Sequence, residues 1–225
     1  MNKLVIVGAE EHTRDNAPWD DKSFDIWTFT HHAHAKWCKR FDAVIEVHNK
    51  NFYMKGYHDK EYFEWLKNIE QPVYIIDAHA DIKSAVQYPF DEIKKKLLAN
   101  ITVSDKPIEN FCSSADYTLA LAIYKGYKSI DIYGIEMAHS SEYKNQQSSF
   151  TFWVGVAIAN GVKVNLNCTS GLFKKPLYGT QDVMTERVKD YVKGMKQQIT
   201  DLDTKAKMLD GALKFADQLI EDSKL

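Results

Sequence analysis

The stretch that follows the first apolar run concentrates residue types that bind phosphate. The run "VIVG" ends at Gly8, and Glu10, His12 and Arg14 follow it. An arginine at this place can hold a phosphate through two parallel hydrogen bonds, and a helix that begins there can receive an anion at its N-terminus. A dinucleotide-binding turn needs the spacing G-x-G-x-x-G, whereas this turn has Gly8 alone. The pattern predicts a site for a phosphorylated ligand and disfavours classical NAD binding, with a solvated charged loop as the alternative.

Histidines supply a second group of candidate site residues. Three of them stand close together in the sequence "HHAHA" at 31–35. They cannot all face one ion from a regular helix, and no carboxylate or cysteine stands at a recognised offset from them. We therefore predict no metal site here and expect His31 to line a ligand pocket. His48, which follows "DAVIEV", is a candidate general base.

A third group lies in the segment 113–147. Ser113 and Ser114 precede an apolar periodic run, which predicts a capped helix N-terminus that can contact phosphate. The next apolar run ends at Gly134 and Glu136, and Glu136 is a candidate catalytic carboxylate whose alternative role is capping or pairing. The polar loop that follows adds candidate ligand contacts at Glu142, Tyr143, Gln146 and Gln147.

Alternating elements must position these groups. Helical patterns at 58–69, 113–126 and 149–160 separate apolar strand candidates, which lie at 3–8, 24–30, 42–48, 72–77, 129–134 and 162–167. Most of these runs are continuously apolar, which is typical of strands covered on both faces. The order predicts an α/β fold, a Rossmann-like, doubly wound and mostly parallel sheet. In such a sheet, ligands bind beyond the carboxyl ends of the strands, where the candidate residues stand.

The tail carries a separate periodic pattern. Apolar residues recur at alternating steps of four and three, and we call them the heptad seam: Val188, Val192, Met195, Ile199, Leu202, Ala206, Leu209, Leu213, Ala216 and Ile220. A seam of about five heptads favours a coiled coil. We predict a Rossmann-like domain at 1–180 and a helical segment at 181–225 that forms a homo-oligomer through 188–220. The alternative is a helix that folds back on its own domain, and the seam does not select the number of chains.

Composition excludes several classes of protein. The 225 residues carry a formal charge of -2, so there is no basic excess with which to neutralise nucleic-acid phosphates. No apolar run approaches the roughly 18 residues of a membrane span, and no signal-peptide layout precedes the first strand. The three cysteines lack the spacing of a zinc or redox site. We expect a cytoplasmic protein without nucleic-acid or membrane partners.

The strings "PWDDKSFDIWTFT", "RFDAVIEVH", "PVYIID" and "SSADYTLALAIYKGYKSIDIYGIEMAHSSEYKNQQ" resemble a group of phage-encoded Rossmann-like proteins. That group is similar to the DUF115 or MptE-like clan, which includes a hydroxymethylpterin pyrophosphokinase and glycosyltransferase-like motility factors. The resemblance covers about residues 1–180 and implies a host-cytoplasm setting. The clan turn G-x-G-P-S corresponds to G-A-E-E-H at residues 8–12, which keeps the first glycine and departs from the rest, and the clan G-x-D corresponds to 134–136 with Glu136 as the acid. The motif E-Y-x-x-Q-R matches 142–147, where Gln147 replaces the arginine, and these departures disfavour conventional phosphoryl transfer.

Three functions compete at this point. The first is binding of a nucleotide or related phosphorylated small molecule at the strand ends; by the resemblance, this is a phage protein that sequesters a host signalling nucleotide. The second is a Mg²⁺-dependent pyrophosphoryl- or glycosyl-transferase-like enzyme, with the metal held by carboxylates such as Glu10 and Glu136. The third is a structural or interaction module that displays a coiled coil. Apart from Mg²⁺ in the second case, no cofactor is predicted.

Overall fold

The predicted apolar runs form one parallel sheet in the computed structural model, which describes residues 3–55, 61–137, 143–168 and 183–222. The strands are β1 (Lys3–Val7), β2 (Asp25–Phe29), β3 (Ala43–Glu46), β4 (Val73–Ile75), β5 (Ala85–Gln87), β6 (Thr102–Val103), β7 (Lys106–Pro107), β8 (Ser129–Tyr133) and β9 (Lys163–Asn167). The seven-stranded sheet has the order β5-β4-β3-β2-β1-β8-β9, and all its neighbours pair in parallel. Strands β6 and β7 form a separate antiparallel pair. All six predicted strands are confirmed, and the fold is Rossmann-like α/β.

The described helices are α1 (Glu11–Arg14), α2 (Thr30–Ala33), α3 (Lys50–Tyr53), α4 (Tyr62–Asn68), α5 (Phe90–Ile93), α6 (Ser114–Lys125), α7 (Tyr143–Ala159) and α8 (Val183–Asp222). Helices α1 to α7 lie between the strands along the chain and α8 follows β9; a π-helical turn (Lys94–Leu98) continues α5. Helix α7 begins six residues before the predicted bound of 149, inside the segment that we predicted as a polar loop. Strand β5 was missed because it is three residues long and its Val86 is exposed at the sheet edge, so no apolar run marks it.

The sheet is covered on both faces, as the continuous apolar runs predict. In β1, Leu4 and Ile6 pack in the core cluster that contains residues of α6 and α7. Val5 and Val7 point the other way and pack with Trp19. These four side chains are buried because successive residues of a strand face opposite sides of the sheet and both sides are covered here. An apolar residue is therefore favoured at each of the four positions.

The strand order reverses between β1 and β8, where two glycines meet. The chain runs outward from β1 to β5 on one side, and β8 and β9 lie on the other side. Gly8 follows β1, and its N–H donates to the Tyr133 carbonyl at 2.8 Å. Gly134 follows β8, has φ of +65°, and its carbonyl accepts from the Glu10 N–H at 3.0 Å. A Cβ on either glycine would overlap the backbone carbonyl of the other. The turns can approach only because neither carries a side chain.

Helix α8 is a separate feature of the tail. It spans 40 residues, and every described side chain from 188 to 222 is exposed. The chain divides into the compact units Met1–Lys174 and Lys175–Leu225, and α8 belongs to the second. Within the described ranges, no helix has both the length and the apolar composition needed to cross a membrane. The long helix is confirmed, whereas the coiled coil stays a prediction.

Replacing Gly134 by alanine should lower the free energy of unfolding by about 3 kcal/mol, since the new Cβ adds backbone overlap to the cost of a left-handed residue. Gly161→Ala is the matched control: Gly161 also has a left-handed φ, of +73°, but open space surrounds its Cβ position. The control should cost about 1 kcal/mol. Urea denaturation checks both values, and equal losses would contradict the close-approach argument.

Candidate functional site

A cavity of about 690 Å³ opens at the carboxyl ends of β1, β2, β3 and β8, where the strand order reverses. Its wall includes predicted site residues from six separate segments of the sequence: Gly8, Glu10, His31, His48, Ser113, Ser114, Gly134, Glu136 and Gln146. The fold brings them together because the parallel strands all end at the same edge of the sheet.

Arg14 does not line this cavity, and its guanidinium contacts its own turn. Nη1 donates to the Ala9 carbonyl at 2.6 Å, Nη2 to Glu11 at 3.0 Å and Nε to Asp15 at 3.1 Å. The group also lies 4.5 Å from the centroid of the Trp37 ring. The prediction of a phosphate clamp overlooked these local acceptors. We therefore leave Arg14 out of the candidate site.

Two further predicted contacts, His12 and Gln147, are not part of the described wall. His12 is exposed and lies outside the cavity, and α1 is a single turn, too short to supply the predicted anion site. Gln147 also lies outside it, and its Nε2 donates to the Met137 carbonyl at 3.0 Å. Glu142 lies outside the described residues, as does the side chain of Tyr143.

The N-terminus of α6 forms part of the cavity wall. Ser113 and Asp116 make a capping box: the Ser113 Oγ accepts from the Asp116 N–H at 3.4 Å, and the Asp116 Oδ2 accepts from the Ser113 N–H at 2.9 Å. The Ser113 hydroxyl is therefore engaged in capping. The N–H groups of Ser114 and Ala115 have no acceptor within the described part of the chain, and both residues line the cavity. They are available to an anion in the cavity.

Asp116 places a titratable carboxyl beneath this helix end. The side chain is fully buried, and its Oδ2 accepts from the Cys112 N–H at 2.7 Å and the Ser149 hydroxyl at 2.8 Å. Its Oδ1 has no hydrogen-bond partner within the described ranges. Burial raises the pKa of Asp116 to about 6, although the hydrogen bonds from Ser149, Cys112 and Ser113 oppose that rise. The carboxylate therefore carries most of its charge at neutral pH and costs stability there.

A network around Glu46, which we did not predict, holds the candidate base His48. Glu46 is buried at the end of β3. Its Oε2 accepts from Thr30 Oγ1 at 2.5 Å and from the Tyr62 hydroxyl at 3.0 Å. Its Oε1 accepts from the His48 N–H at 3.0 Å and lies 2.7 Å from His48 Nδ1. The sequence signal was a carboxylate inside an apolar strand, followed two residues later by histidine.

The electrostatics of the network define the state of His48. Burial raises the pKa of Glu46, but hydrogen bonds from His48 and Thr30 outweigh it, so the pKa lies below its usual value. An ionised Glu46 can only accept, so the proton of the neutral imidazole sits on Nδ1 and the lone pair on Nε2. The His48 ring lines the cavity and stacks on Phe52 with centroids 4.8 Å apart. This arrangement fits a general base.

The other cavity histidines carry no positive charge at neutral pH. Burial lowers the pKa of His31, and it lowers the pKa of His32 to about 3. Lysine and arginine are absent from the described cavity wall, whereas Glu10 and Glu136 contribute carboxyl groups to it. The hydrogen-bond donors that this wall offers to an anion therefore include backbone N–H groups and the hydroxyl of Ser114.

The two carboxylates do not complete a metal centre with their described neighbours. Among the residues that the structure describes, no group of three or more His, Cys, Asp or Glu side chains is placed to hold a metal ion. For the Mg²⁺ of the transferase alternative, the described residues offer the two carboxylates Glu10 and Glu136. Because two carboxylates do not make up such a group, we derive no reaction step through a metal ion.

The chain matches no family model and no curated protein. Its fold is similar to solved structures of the sialyltransferase CstII from Campylobacter jejuni. The complex with cytidine-5'-monophosphate shows 15% identity and a TM-score of 0.45 and covers 75% of this chain and 80% of that chain. The complex with CMP-3FNeuAc shows 14% identity and a TM-score of 0.49 over 77% and 84% of the two chains. These values are too low to carry an argument about function.

Replacing Asp116 by asparagine should alter the pH dependence of stability. The folded-state pKa of about 6 exceeds the ordinary value of 3.8, so between these values the folded state binds more protons than the unfolded state. The free energy of unfolding of the parent should therefore fall relative to Asp116→Asn as the pH rises from about 4 to 7, by about 3 kcal/mol in total. Denaturation at a series of pH values checks this, and parallel curves for the two proteins would contradict it.

Proposed function

We propose that this protein binds a nucleotide or a related phosphorylated small molecule in the cavity at the carboxyl ends of β1, β2, β3 and β8. One observation carries the proposal: the N–H groups of Ser114 and Ala115, at the start of the twelve-residue helix α6, lie in the wall of this cavity without a protein acceptor in the described chain. A helix N-terminus attracts anions because its unpaired N–H groups point outward and its dipole is positive there.

The remainder of the wall suits the other parts of such a ligand. Phe29, Phe111 and Tyr117 line the cavity with aromatic rings that can pack against a base. Glu10 and Glu136 can accept hydrogen bonds from sugar hydroxyls or from exocyclic amino groups. The volume of about 690 Å³ lies within the range of roughly 300–1,000 Å³ that small-molecule sites occupy. A cavity of this size supports ligand binding over a purely structural role.

The biological setting stays a prediction. A phage origin and the capture of a host signalling nucleotide depend on the resemblance of residues 1–180 alone. Capture would require tight binding of an unaltered ligand. Native mass spectrometry of the purified protein, followed by denaturing extraction, would identify a nucleotide that remains bound.

Ser114→Glu tests the phosphate position. The glutamate would place a negative charge at the first helical position, where it stabilises α6 through the helix dipole but repels a phosphate. Ser114→Gln is the matched control with the same shape and no charge. We expect the glutamate variant to bind at least tenfold more weakly than the glutamine variant, in calorimetric titrations with nucleoside mono-, di- and triphosphates and nucleotide sugars. Equal affinities in the two variants would place the phosphate elsewhere.

The Glu46–His48 pair favours a second candidate function, an enzyme that transfers a group from the same ligand. His48 Nε2 would take the proton from the hydroxyl of water or an alcohol. The freed oxygen would form a bond to phosphorus or to the anomeric carbon of the ligand, and the bond to the leaving phosphate would break with its electron pair. Glu46 would hold the Nδ1 proton and stabilise the imidazolium that forms.

His48→Gln should lower turnover of the same nucleotide panel at least 100-fold and change ligand affinity less than threefold, since the lost group acts on the proton of the nucleophile. His79→Gln, which changes a histidine outside the cavity wall, is the control and should keep full activity. Product chromatography measures both. Ligand binding by the parent without turnover would reject the enzyme and leave the binding function standing.

A further inference from the structure

The heptad seam lies on a helix whose described side chains are all exposed. The exposed fraction of its larger members runs from 42% for Val192 to 66% for Leu209. Tyr191 and Leu219, which border the seam near its two ends, are also exposed, at 69% and 53%. An apolar face of this length costs free energy in water until another surface covers it. A long helix gains most of its stability from such packing.

The charged residues beside the heptad seam indicate what kind of partner surface would cover it. Every second seam residue is directly followed by a charged residue, and these charged residues lie along one side of the seam. We call this side the flank: Lys189, Lys196, Asp203, Asp210 and Asp217. The flank is basic in its first part and acidic in its last part. A second copy that runs in the opposite direction therefore presents acids to the lysines and lysines to the acids.

We propose that α8 pairs with α8 of a second copy of this chain in an antiparallel coiled coil, with Leu202 facing the partner's Ala206. In this register Val192 faces the partner's Ala216, and Val188 faces the partner's Ile220. Every other seam residue likewise faces a seam residue, so no layer is left over.

The same register matches charge along the flank. Lys196 lies beside the partner's Asp210, and Lys189 lies beside the partner's Asp217. Both contacts occur twice because the pairing is symmetric. The central Asp203 approaches the partner's Asp203. Within its own helix Asp203 pairs with Lys207 at 2.6 Å, as Asp210 does with Lys214 at 2.7 Å, so these intrahelical pairs weaken the central repulsion and the attraction at Asp210 alike. On the opposite flank, Lys205 approaches the partner's Lys205, while Tyr191 and the partner's Leu219 extend the apolar contact at each end.

A parallel dimer in register fits less well. It would place Ala206 against the partner's Ala206 and Ala216 against the partner's Ala216, which leaves two underfilled layers. The antiparallel register sets each alanine against a larger residue and keeps the seam evenly filled. In the parallel arrangement, the contact between opposite charges in the stretch 189–217 would be that of Lys205 with the partner's Asp210. Lys196 would face the uncharged Tyr191 of the partner.

Charge reversal on the full-length chain distinguishes these arrangements. Lys196→Asp would place aspartates at positions 196 and 210, and Asp210→Lys would place lysines at both, so each variant repels itself in the antiparallel register. When the two variants are mixed, both pairs between positions 196 and 210 are again of opposite charge. Lys193→Asp is the matched control, because Lys193 lies on the outer face of the helix.

Sedimentation analysis at low salt should show a dimer for the parent. The dissociation constant should rise roughly tenfold for each reversal variant and return to near the parent value in the equimolar mixture. Lys193→Asp should stay within about twofold. A monomeric parent, an assembly larger than a dimer, unaffected reversal variants, or a mixture as weak as its components would each overturn the proposal. The result is independent of ligand binding at the cavity.

Discussion

The contact between the turns after β1 and β8 sets the geometry of the candidate site. Gly8 and Gly134 lie so close that each occupies the space in which the other would carry a Cβ. The Gly134 N–H also donates a hydrogen bond to Thr13 Oγ1 at 2.8 Å, which ties the turn to α1. Because β1 and β8 are neighbours at the reversal of strand order, the two glycine turns lie side by side in the wall of the cavity. The N-terminus of α6 and the ends of β2 and β3 supply other parts of that wall.

The arginine and histidine side chains near the cavity, which by residue type could supply positive charge, do not supply it to the described wall. Arg14 is the cation nearest in sequence to the first turn, yet its three donor nitrogens contact acceptors of that turn. His31 and His32 are neutral because burial disfavours their charged forms. Positive potential in the described wall therefore arises from peptide N–H groups at the end of α6. Such donors are fixed by the fold, so the proposed ligand site needs no side-chain reorganisation to present them.

The two compact units differ in what happens to their apolar residues. The first buries its apolar residues on both faces of a parallel sheet, whose edge then holds polar groups at the strand ends. The second displays an apolar seam that one chain leaves exposed. The proposed partner for this seam is an antiparallel copy of the same helix. Such a copy sets a larger residue against each of the two seam alanines and acids against the basic part of the flank. The proposed ligand site and the proposed dimer contact therefore lie in different parts of the sequence.

The sequence by itself determined the six principal strands, the capped helix after Ser113 and the long tail helix. Local patterns decide these elements: unbroken apolar runs, a serine three residues before an aspartate, and apolar steps of three and four. Most predicted site residues also reach the cavity wall, because parallel strands end at one edge. The tertiary structure alone decided where each side chain points. It directed Arg14 towards Ala9, placed Glu46 against Thr30, Tyr62 and His48, and added β5 at the edge. Some of these outcomes depend on hydrogen bonds and packing between residues that are distant in sequence, and others depend on the local shape of a turn. Residue spacing alone does not specify either.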